Sequence, residues 1–298
     1  MATTGTTCTL TPRPARALDL TGLPPLRTVP ARDGSAIAFR HYPGGAGGPV
    51  VVLVHGTAVD SSVMHPLASR LQADGAEVLS LGVRGHGETG TRRGDLDRRG
   101  QLDDDLVDLL ERALPPGGGT GTLVGFSGGG AFALRFAGGP DGHRFDRYLL
   151  LAPAFGPPSP VARRGTGGWA CPRVGRIVAL MALGRLGIHR FDGAEVLAFA
   201  GTTDRPEWTT RYSYRLTMDF GVRRPRAALR RCARPVAVVA GADDEQFHAD
   251  RYGDELRPAR PDVDIRLVAG LGHVDLITDP RGIDAISGAL DLGGRAAI

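Results

Sequence analysis

A short apolar run followed directly by a run of small residues, Thr122–Leu134, constrains this chain more than any other stretch. Residues 122–126 are mostly β-branched or apolar and predict a buried strand, and the small residues after them predict a helix packed closely against a sheet. The junction fits the pattern G-x-S-x-G, with Ser127 at its centre. The glycines let strand and helix approach each other, so the pattern predicts a sharp turn. The Ser127 hydroxyl would then project at a helix N-terminus, where backbone N–H groups stabilise negative charge.

Strand and helix patterns alternate along most of the chain. Strands are predicted at Ala36–His41, Pro49–Val54, Ala76–Leu81, Thr122–Phe126, Arg147–Leu151, Pro235–Ala240 and Asp264–Val268. Helices are predicted at Ser61–Asp74, Gln101–Leu114, Ala249–Leu256 and Pro280–Leu292. This order predicts an α/β fold with a mostly parallel central sheet and helices on both faces.

The alternation stops after the strand that ends near Leu151. A Pro- and Gly-rich stretch follows, with one short apolar helix predicted at Val174–Leu186 and a second helix at Trp208–Phe220. We therefore expect a segment inserted into the chain between two consecutive strands of the sheet. The predicted division is an irregular arm (residues 1–34), a core (35–154 and 232–298) and an inserted lid (155–231).

Composition excludes several classes of function. All 36 basic residues are arginine, but the net charge is only +4 and the arginines are scattered, which argues against nucleic-acid binding. The 3 cysteines are widely spaced, so neither a disulfide framework nor a zinc site is expected. Asp103, Asp104 and Asp105 are interpreted as a helix start and not as a metal site. No apolar run is as long as a membrane span, and the N-terminus has no secretory pattern, so a cytoplasmic location is expected.

A serine hydroxyl needs a base to accept its proton and an acid to orient that base. In a parallel sheet such groups belong at the carboxyl ends of strands. His273 follows the last predicted strand, and either Asp243 or Asp244 follows the strand before it. With Ser127, these candidates have the chain order Ser, Asp, His that is typical of α/β-hydrolases.

The other histidines have less suitable positions. His55 also ends a strand, but we expect it to shape the loop that binds the oxyanion, and His86 lies in a turn and is expected to be structural. A tetrahedral intermediate needs two N–H donors. Gly128, which follows the candidate nucleophile, offers one, and the loop His55–Thr57 should offer the other.

The chain resembles the α/β-hydrolase superfamily, and within it the bacterial lysophospholipase-like, serine-aminopeptidase-type group. The similarity lies in Val51–Thr57, Arg84–Gly87, Gly94–Leu106, Gly125–Gly138, Gly167–Ala170 with Pro172, Tyr212–Leu216, Gly241–Phe247 and Gly270–His273. It implies that Thr57 supplies the second oxyanion N–H and that Asp244 is the acid. Many relatives have histidine where Phe126 stands and a bulkier residue where Gly128 stands, so the shape of the acyl pocket does not carry over.

We expect a cofactor-independent serine hydrolase that cleaves lipid-like or small carboxylic esters through an acyl-enzyme, with no metal. An acyltransferase with the same intermediate and a catalytically silent binding protein are the alternatives. The insert is expected to select the substrate without contributing to bond breaking, with Trp208, Tyr212 and Leu216 presented to an apolar acyl pocket from one helix. It has 14 arginines but only 5 acidic residues, which is compatible with an anionic head group or peripheral contact with an anionic lipid surface. The codon bias of a GC-rich genome would explain the arginine excess equally well.

Overall fold

The computed structural model describes residues 18–87, 89–114, 121–163, 168–200, 205 and 207–290. Its strands are β1 (Leu26–Pro30), β2 (Ala36–Tyr42), β3 (Val50–Val54), β4 (Glu77–Gly82), β5 (Thr122–Phe126), β6 (Arg147–Leu151), β7 (Ala170–Pro172), β8 (Glu195–Phe199), β9 (Arg211–Ser213), β10 (Val236–Gly241) and β11 (Asp264–Val268). Its α-helices are α1 (His65–Ala73), α2 (Gln101–Ala113), α3 (Gly128–Ala137), α4 (Val174–Arg185), α5 (Tyr214–Phe220), α6 (Pro225–Arg231), α7 (Tyr252–Leu256), α8 (Asp275–Thr278) and α9 (Pro280–Leu290). Short 3-10 helices, Ser61–Met64 and Ala249–Arg251, lead into α1 and α7.

The central sheet has eight strands in the order β1-β2-β4-β3-β5-β6-β10-β11. Both pairings of β2 are antiparallel, and all the pairings from β4 to β11 are parallel. The helices α1, α8 and α9 pack together, and α3 packs with α5 and α6 in a separate group. The predicted α/β-hydrolase fold, with its mostly parallel sheet, is confirmed.

The register of the central strands places the candidate site. In β3 the side chains of Val51–Val54 are fully buried, as expected for a strand covered on both faces. Val54 pairs with Gly125, and Phe126 pairs with Leu151. The carboxyl ends of β3, β5 and β6 therefore lie side by side, and the turn after β5 is the one that carries Ser127.

The N-terminal region differs from the prediction. Residues 26–30 are not irregular, because they form β1, which pairs antiparallel with β2 from Leu26 opposite Arg40 to Pro30 opposite Ala36. β1 lies at the edge of the sheet and has no fully buried residue, so it has no apolar alternation by which a strand could be recognised. Residues 1–17 of the predicted arm lie outside the described residues.

The insert contains a small sheet that was not predicted. Its strands lie in the order β7-β8-β9 and are antiparallel. The predicted helix over Trp208–Phe220 is wrong in its first half, because Arg211–Ser213 forms β9 and the helix α5 begins only at Tyr214. Ser213 sets this boundary, since its hydroxyl accepts a hydrogen bond from the Leu216 amide at 3.1 Å and so caps the helix.

The helices of the described residues are short. In that part of the chain, none is long and apolar enough to cross a membrane. The predicted helix Pro280–Leu292 corresponds to α9 up to Leu290, and its last two residues lie outside the described ranges.

Candidate active site

Ser127 lies at a strained turn between β5 and α3. Its φ of 54° and ψ of −115° are values that residues with a side chain rarely adopt. A Cβ on Gly125 would lie 2.1 Å from the carbonyl oxygen of Gly129, and one on Gly129 would lie 2.3 Å from that of Val54. These two positions therefore accept only glycine, as the pattern G-x-S-x-G predicts. The turn is tied to the sheet by a hydrogen bond of 2.8 Å from the Ser127 amide to the Leu151 carbonyl.

Asp244 and His273 are in contact and both are buried. The distance from Nδ1 of His273 to Oδ2 of Asp244 is 2.7 Å. The other carboxylate oxygen of Asp244 accepts hydrogen bonds from the amides of Gln246 at 2.7 Å and Phe247 at 2.9 Å. The carboxylate is therefore fixed on both sides. Asp243, the alternative acid, is exposed.

The His273 ring lies beside the turn that carries Ser127. Its centroid is 4.9 Å from that of Phe126, the residue before Ser127, and 5.3 Å from that of Phe247. The His273 amide also donates to Oε2 of Glu245 at 2.9 Å. Because Nδ1–H donates to Asp244, the neutral imidazole has its lone pair on Nε2, the atom that a general base must use.

His55 fixes the orientation of the Thr57 amide. Its Nε2 accepts a hydrogen bond from the Val83 amide at 3.1 Å, and its Nδ1–H donates to the Gly56 carbonyl at 2.8 Å. The Gly56 carbonyl and the Thr57 N–H belong to one planar trans peptide and point in opposite directions. Burial lowers the pKa of His55, which keeps the ring neutral and this tautomer in place.

Thr57 and Gly128 lie against each other, as their proposed shared role requires. A Cβ on Gly128 would be 2.6 Å from Cγ2 of Thr57, 3.1 Å from the Thr57 amide nitrogen and 2.9 Å from Cε1 of Phe220. Thr57 and Phe220 therefore fill the space that a larger residue at position 128 would need, which explains the departure from the usual pattern. Among the described residues, neither the Thr57 amide nor the Gly128 amide donates to a protein acceptor.

A side chain of the insert reaches the same loop. The Ala58 amide donates to the Tyr212 hydroxyl oxygen at 2.8 Å, and the Ala58 carbonyl accepts from the Thr209 amide at 2.8 Å. Ala58 has a φ of 70°, in the left-handed region that non-glycine residues rarely adopt. Two residues of the insert thus hold a strained residue next to Thr57.

His86 completes this network. The Tyr212 hydroxyl donates to Nε2 of His86, whose Nδ1–H donates to the Arg84 carbonyl at 3.2 Å. Burial lowers the pKa of His86 to about 3 and raises the pKa of Tyr212, so both groups are neutral and each hydrogen bond has one direction. The sequence predicted a structural role for His86, but it contained no signal for the contact with Tyr212.

The insert also contacts the loop that carries Asp244. The Arg163 guanidinium donates from Nη2 to the Asp244 carbonyl at 2.9 Å and from Nε to the Phe247 carbonyl at 3.1 Å. The His248 amide donates to the Val161 carbonyl at 2.9 Å. The first part of the insert therefore supports the loop of Asp244, and its β9 region supports the loop of Thr57 and Ala58.

The expected pocket-lining residues have different positions. Tyr212 is 1% exposed and Leu216 is 0% exposed, and the Tyr212 hydroxyl is engaged by Ala58 and His86. The expectation that one helix carries both residues is wrong, because Tyr212 lies on β9 and only Leu216 lies on α5. Trp208 is partly exposed and packs at the edge of the core. Its indole Nε1 is buried and has no hydrogen-bond partner in the described part of the chain.

The three aspartates at the start of α2 are engaged by different arginines. Asp103 pairs with Arg135 at 2.7 Å, and Asp105 pairs with Arg84 at 2.6 Å. Asp104 pairs with Arg32 at 2.6 Å. The described residues contain no group of three or more His, Cys, Asp or Glu side chains arranged to hold a metal ion.

Solved structures with a similar fold cover most of the chain. A monoacylglycerol lipase from Paleococcus ferrophilus has 20% identity and a TM-score of 0.63, over 85% of this chain and 98% of its own. An esterase from Rhodococcus sp. ECU1013 has 20% identity and a TM-score of 0.59, over 89% and 98%. The carboxylesterase CesB from Bacillus subtilis has 16% identity and a TM-score of 0.63, over 91% and 92%. At these identities the likeness shows a shared fold.

The family assignment comes from the sequence itself. A comparison with curated proteins gave no match. The family described as "Serine aminopeptidase, S33" matches residues 48–280, which include Thr57, Ser127, Asp244 and His273. Since the match spans well over half of the chain, this protein belongs to the S33 serine aminopeptidase family of the α/β-hydrolase superfamily.

Proposed function

We propose that this protein is a serine hydrolase that cleaves carboxylic esters through an acyl-enzyme. The observation that carries the proposal is the 2.7 Å contact between His273 Nδ1 and the Asp244 carboxylate, beside the strained turn at Ser127. A strained serine at a helix N-terminus next to an oriented imidazole is the arrangement that nucleophilic acyl transfer needs.

In the proposed mechanism, Ser127 Oγ attacks the ester carbonyl while His273 Nε2 accepts its proton. Asp244 stabilises the imidazolium that forms. The N–H groups of Thr57 and Gly128 bind the oxyanion of the tetrahedral intermediate. When the intermediate collapses, His273 returns the proton to the leaving alcohol, and an acyl group remains on Ser127.

Water then releases the acid. His273 takes a proton from the water molecule as its oxygen attacks the acyl carbonyl, and when the second intermediate collapses His273 returns the proton to Ser127 Oγ, which releases the free acid. Apart from the ester and the water molecule, all of these steps use protein side chains and backbone amides. No cofactor is part of the proposal.

The substrate class we propose is a lipid-like or small acyl ester. Support comes from the similar structures, whose names identify a monoacylglycerol lipase, an esterase and a carboxylesterase. We also propose that residues 155–231 form a lid over the carboxyl ends of the strands. The contacts of Tyr212 with Ala58 and of Arg163 with the Asp244 carbonyl support this position. Trp208, which is partly exposed, is the residue of the insert that we propose as an acyl contact.

Covalent labelling tests the assignment directly. A fluorophosphonate should label the wild-type protein at Ser127, as mapped by peptide mass spectrometry, and should not label Ser127→Ala. A p-nitrophenyl ester series of increasing acyl length should then show turnover that Ser127→Ala lowers by about 10⁴ or more in kcat. Labelling at another residue would reject the mechanism. Labelling at Ser127 with esters turned over only when an acceptor alcohol or amine is added would identify an acyltransferase.

A further inference from the structure

Exposed apolar side chains concentrate on one part of the insert, residues 174–191. Seven large hydrophobic side chains are exposed among the described residues, and five of them lie in this segment. Val174 is 61% exposed, Val178 58% and Leu186 76%, and Ile188 and Phe191 complete the group. Single exposed apolar residues are ordinary on a protein surface, but a contiguous group marks a binding surface.

The helix α4 is attached to the protein by one side only. Leu180 is its single fully buried residue and packs with Val196 and Tyr214 in a cluster separate from the main core. Val174 and Val178 are four residues apart and therefore share the opposite, outward face. That face has no uncharged polar side chain, which is unusual for a helix in contact with water.

The charged side chains within this segment are all basic. From Arg173 to Phe191 the sequence has no Asp or Glu. Arg176, Arg185 and Arg190 form no ion pair with any described carboxylate, and the Arg190 guanidinium lies 4.4 Å from the centre of the Phe191 ring. The surface thus combines uncovered apolar groups with cations that have no anionic partner in the described protein.

We propose that this outward face of α4 and the following segment to Phe191 form a docking surface for an anionic lipid layer. The apolar side chains would enter the boundary between head groups and acyl chains, and the arginines would extend to the phosphates. A second copy of the chain is a poorer occupant. In a two-fold interface this surface would face itself and bring Arg176, Arg185 and Arg190 close to their own copies.

The docking surface is connected to the candidate active site through the small sheet. α4 packs on β8, β8 pairs with β9, and β9 carries Tyr212, which contacts the oxyanion loop at Ala58. A protein docked in this way would have the insert between the lipid layer and Ser127. Docking requires no catalysis, so this proposal does not depend on the proposed function. If both hold, docking would bring the active site close to lipid-like esters.

Vesicle co-sedimentation tests the surface. The full chain with Ser127→Ala is mixed with phosphatidylcholine vesicles, with and without phosphatidylglycerol. We expect binding to vesicles that contain phosphatidylglycerol, weaker binding to pure phosphatidylcholine, and a loss of the difference at high salt. The double variant Val178→Ser/Leu186→Ser should lower the partition constant at least about tenfold, because burial of even one such side chain contributes that factor. Arg176→Gln/Arg185→Gln should abolish the preference for anionic vesicles.

The control is Leu267→Ser, which changes an exposed leucine on β11, away from the insert, and should bind as Ser127→Ala alone does. All variants are compared by thermal unfolding, and each is also made with Ser127 intact to check fluorophosphonate labelling. Binding to neither vesicle, or equal loss in Leu267→Ser, would overturn the proposal. A dimer in light scattering that Val178→Ser/Leu186→Ser dissociates would identify a second copy as the occupant. Vesicle binding without labelling at Ser127 would reject the proposed function and leave the docking surface intact.

Discussion

The Tyr212 hydroxyl oxygen lies 2.8 Å from the Ala58 amide nitrogen, although the two residues are 154 positions apart in the sequence. This hydrogen bond joins the insert to the loop whose Thr57 amide is the proposed oxyanion donor. The sequence had suggested an insert that selects the substrate and takes no part in bond breaking. The contact leads to a different expectation, in which the insert keeps an oxyanion donor in position.

Tyr212→Phe should therefore lower kcat with little change in KM. Loss of the hydroxyl leaves the Ala58 amide without its acceptor and frees the Thr57–Ala58 segment, so we expect about a tenfold decrease, less than the 10²–10³ that removal of an oxyanion donor costs. The rate of phosphonylation should decrease in parallel, because it passes through a similar charged intermediate. Tyr214→Phe is the control, since Tyr214 packs in the separate cluster with Leu180 and Val196. If the two substitutions lower kcat equally, the Tyr212 hydroxyl has no specific effect on the proposed oxyanion donor.

Asp244→Asn should be far more damaging than Asp243→Asn. An asparagine at position 244 would favour the wrong tautomer of His273 and lower kcat by roughly 10⁴. Position 243 is exposed, and its substitution should leave kcat almost unchanged. Steady-state kinetics of the two variants on one p-nitrophenyl ester compare them directly. A reversed order would assign the acid to Asp243 and contradict the observed contact with His273.

Gly128→Ala should impair both activity and stability. The new methyl group would lie 2.6 Å from Cγ2 of Thr57 and would push the two proposed oxyanion donors apart. We expect a decrease in kcat of about tenfold or more, in line with damage to an oxyanion site, and destabilisation of about 1–3 kcal/mol from overpacking. Gly156→Ala is the matched control, because a Cβ there meets nothing within 4 Å. Chemical denaturation measures the stability of both variants, and ester kinetics measure their kcat. If Gly128→Ala changes neither quantity, the close packing of Gly128 against Thr57 is contradicted.

The free energy of unfolding should decrease as the pH is lowered, and part of this decrease should come from His86. Burial lowers its pKa to about 3 in the folded protein, whereas the ordinary value is 6.5. Between these values the unfolded chain binds a proton that the folded chain does not, so the free energy of unfolding decreases as pH falls. The contribution is up to about 1.4 kcal/mol per pH unit across that window.

Denaturant unfolding at pH 7 and pH 4.5 measures this contribution. His86→Asn can still accept a hydrogen bond from Tyr212 but cannot titrate, so its stability should change less between the two pH values than that of the wild type. His55, whose pKa burial also lowers, remains in both proteins. Identical pH dependence in the two proteins would show that His86 is not held neutral.

The sequence predicted the elements whose residues show a clear pattern without reference to distant parts of the chain. Thr122–Phe126 and Arg147–Leu151 have the predicted bounds, because buried parallel strands are mostly continuous apolar runs with clear ends. The turn at Ser127 was equally clear, since only glycine fits at positions 125 and 129.

Features that depend on distant partners could not be predicted. β1 is recognisable only through its pairing with β2, and β9 through its pairing with β8. The four-residue spacing from Trp208 to Phe220 imitates a helix, but a strand and a serine cap occupy its first half. Asp244 contacts His273 and Asp243 is exposed, and adjacent residues in one loop give no local signal for that difference.

The Tyr212–Ala58 hydrogen bond has a consequence for exchanging parts between relatives. An inserted segment that only covers a pocket is a module, and it can be replaced by the insert of another family member without harm to the chemistry beneath it. Here the segment brings its own support for Ala58 and, through Arg163, for the loop of Asp244. A chimaera with the insert of a relative would need a hydrogen-bond acceptor for the Ala58 amide and a donor to the Asp244 carbonyl. We therefore expect this segment and the core beneath it to function only when they come from the same protein or from relatives that keep both contacts.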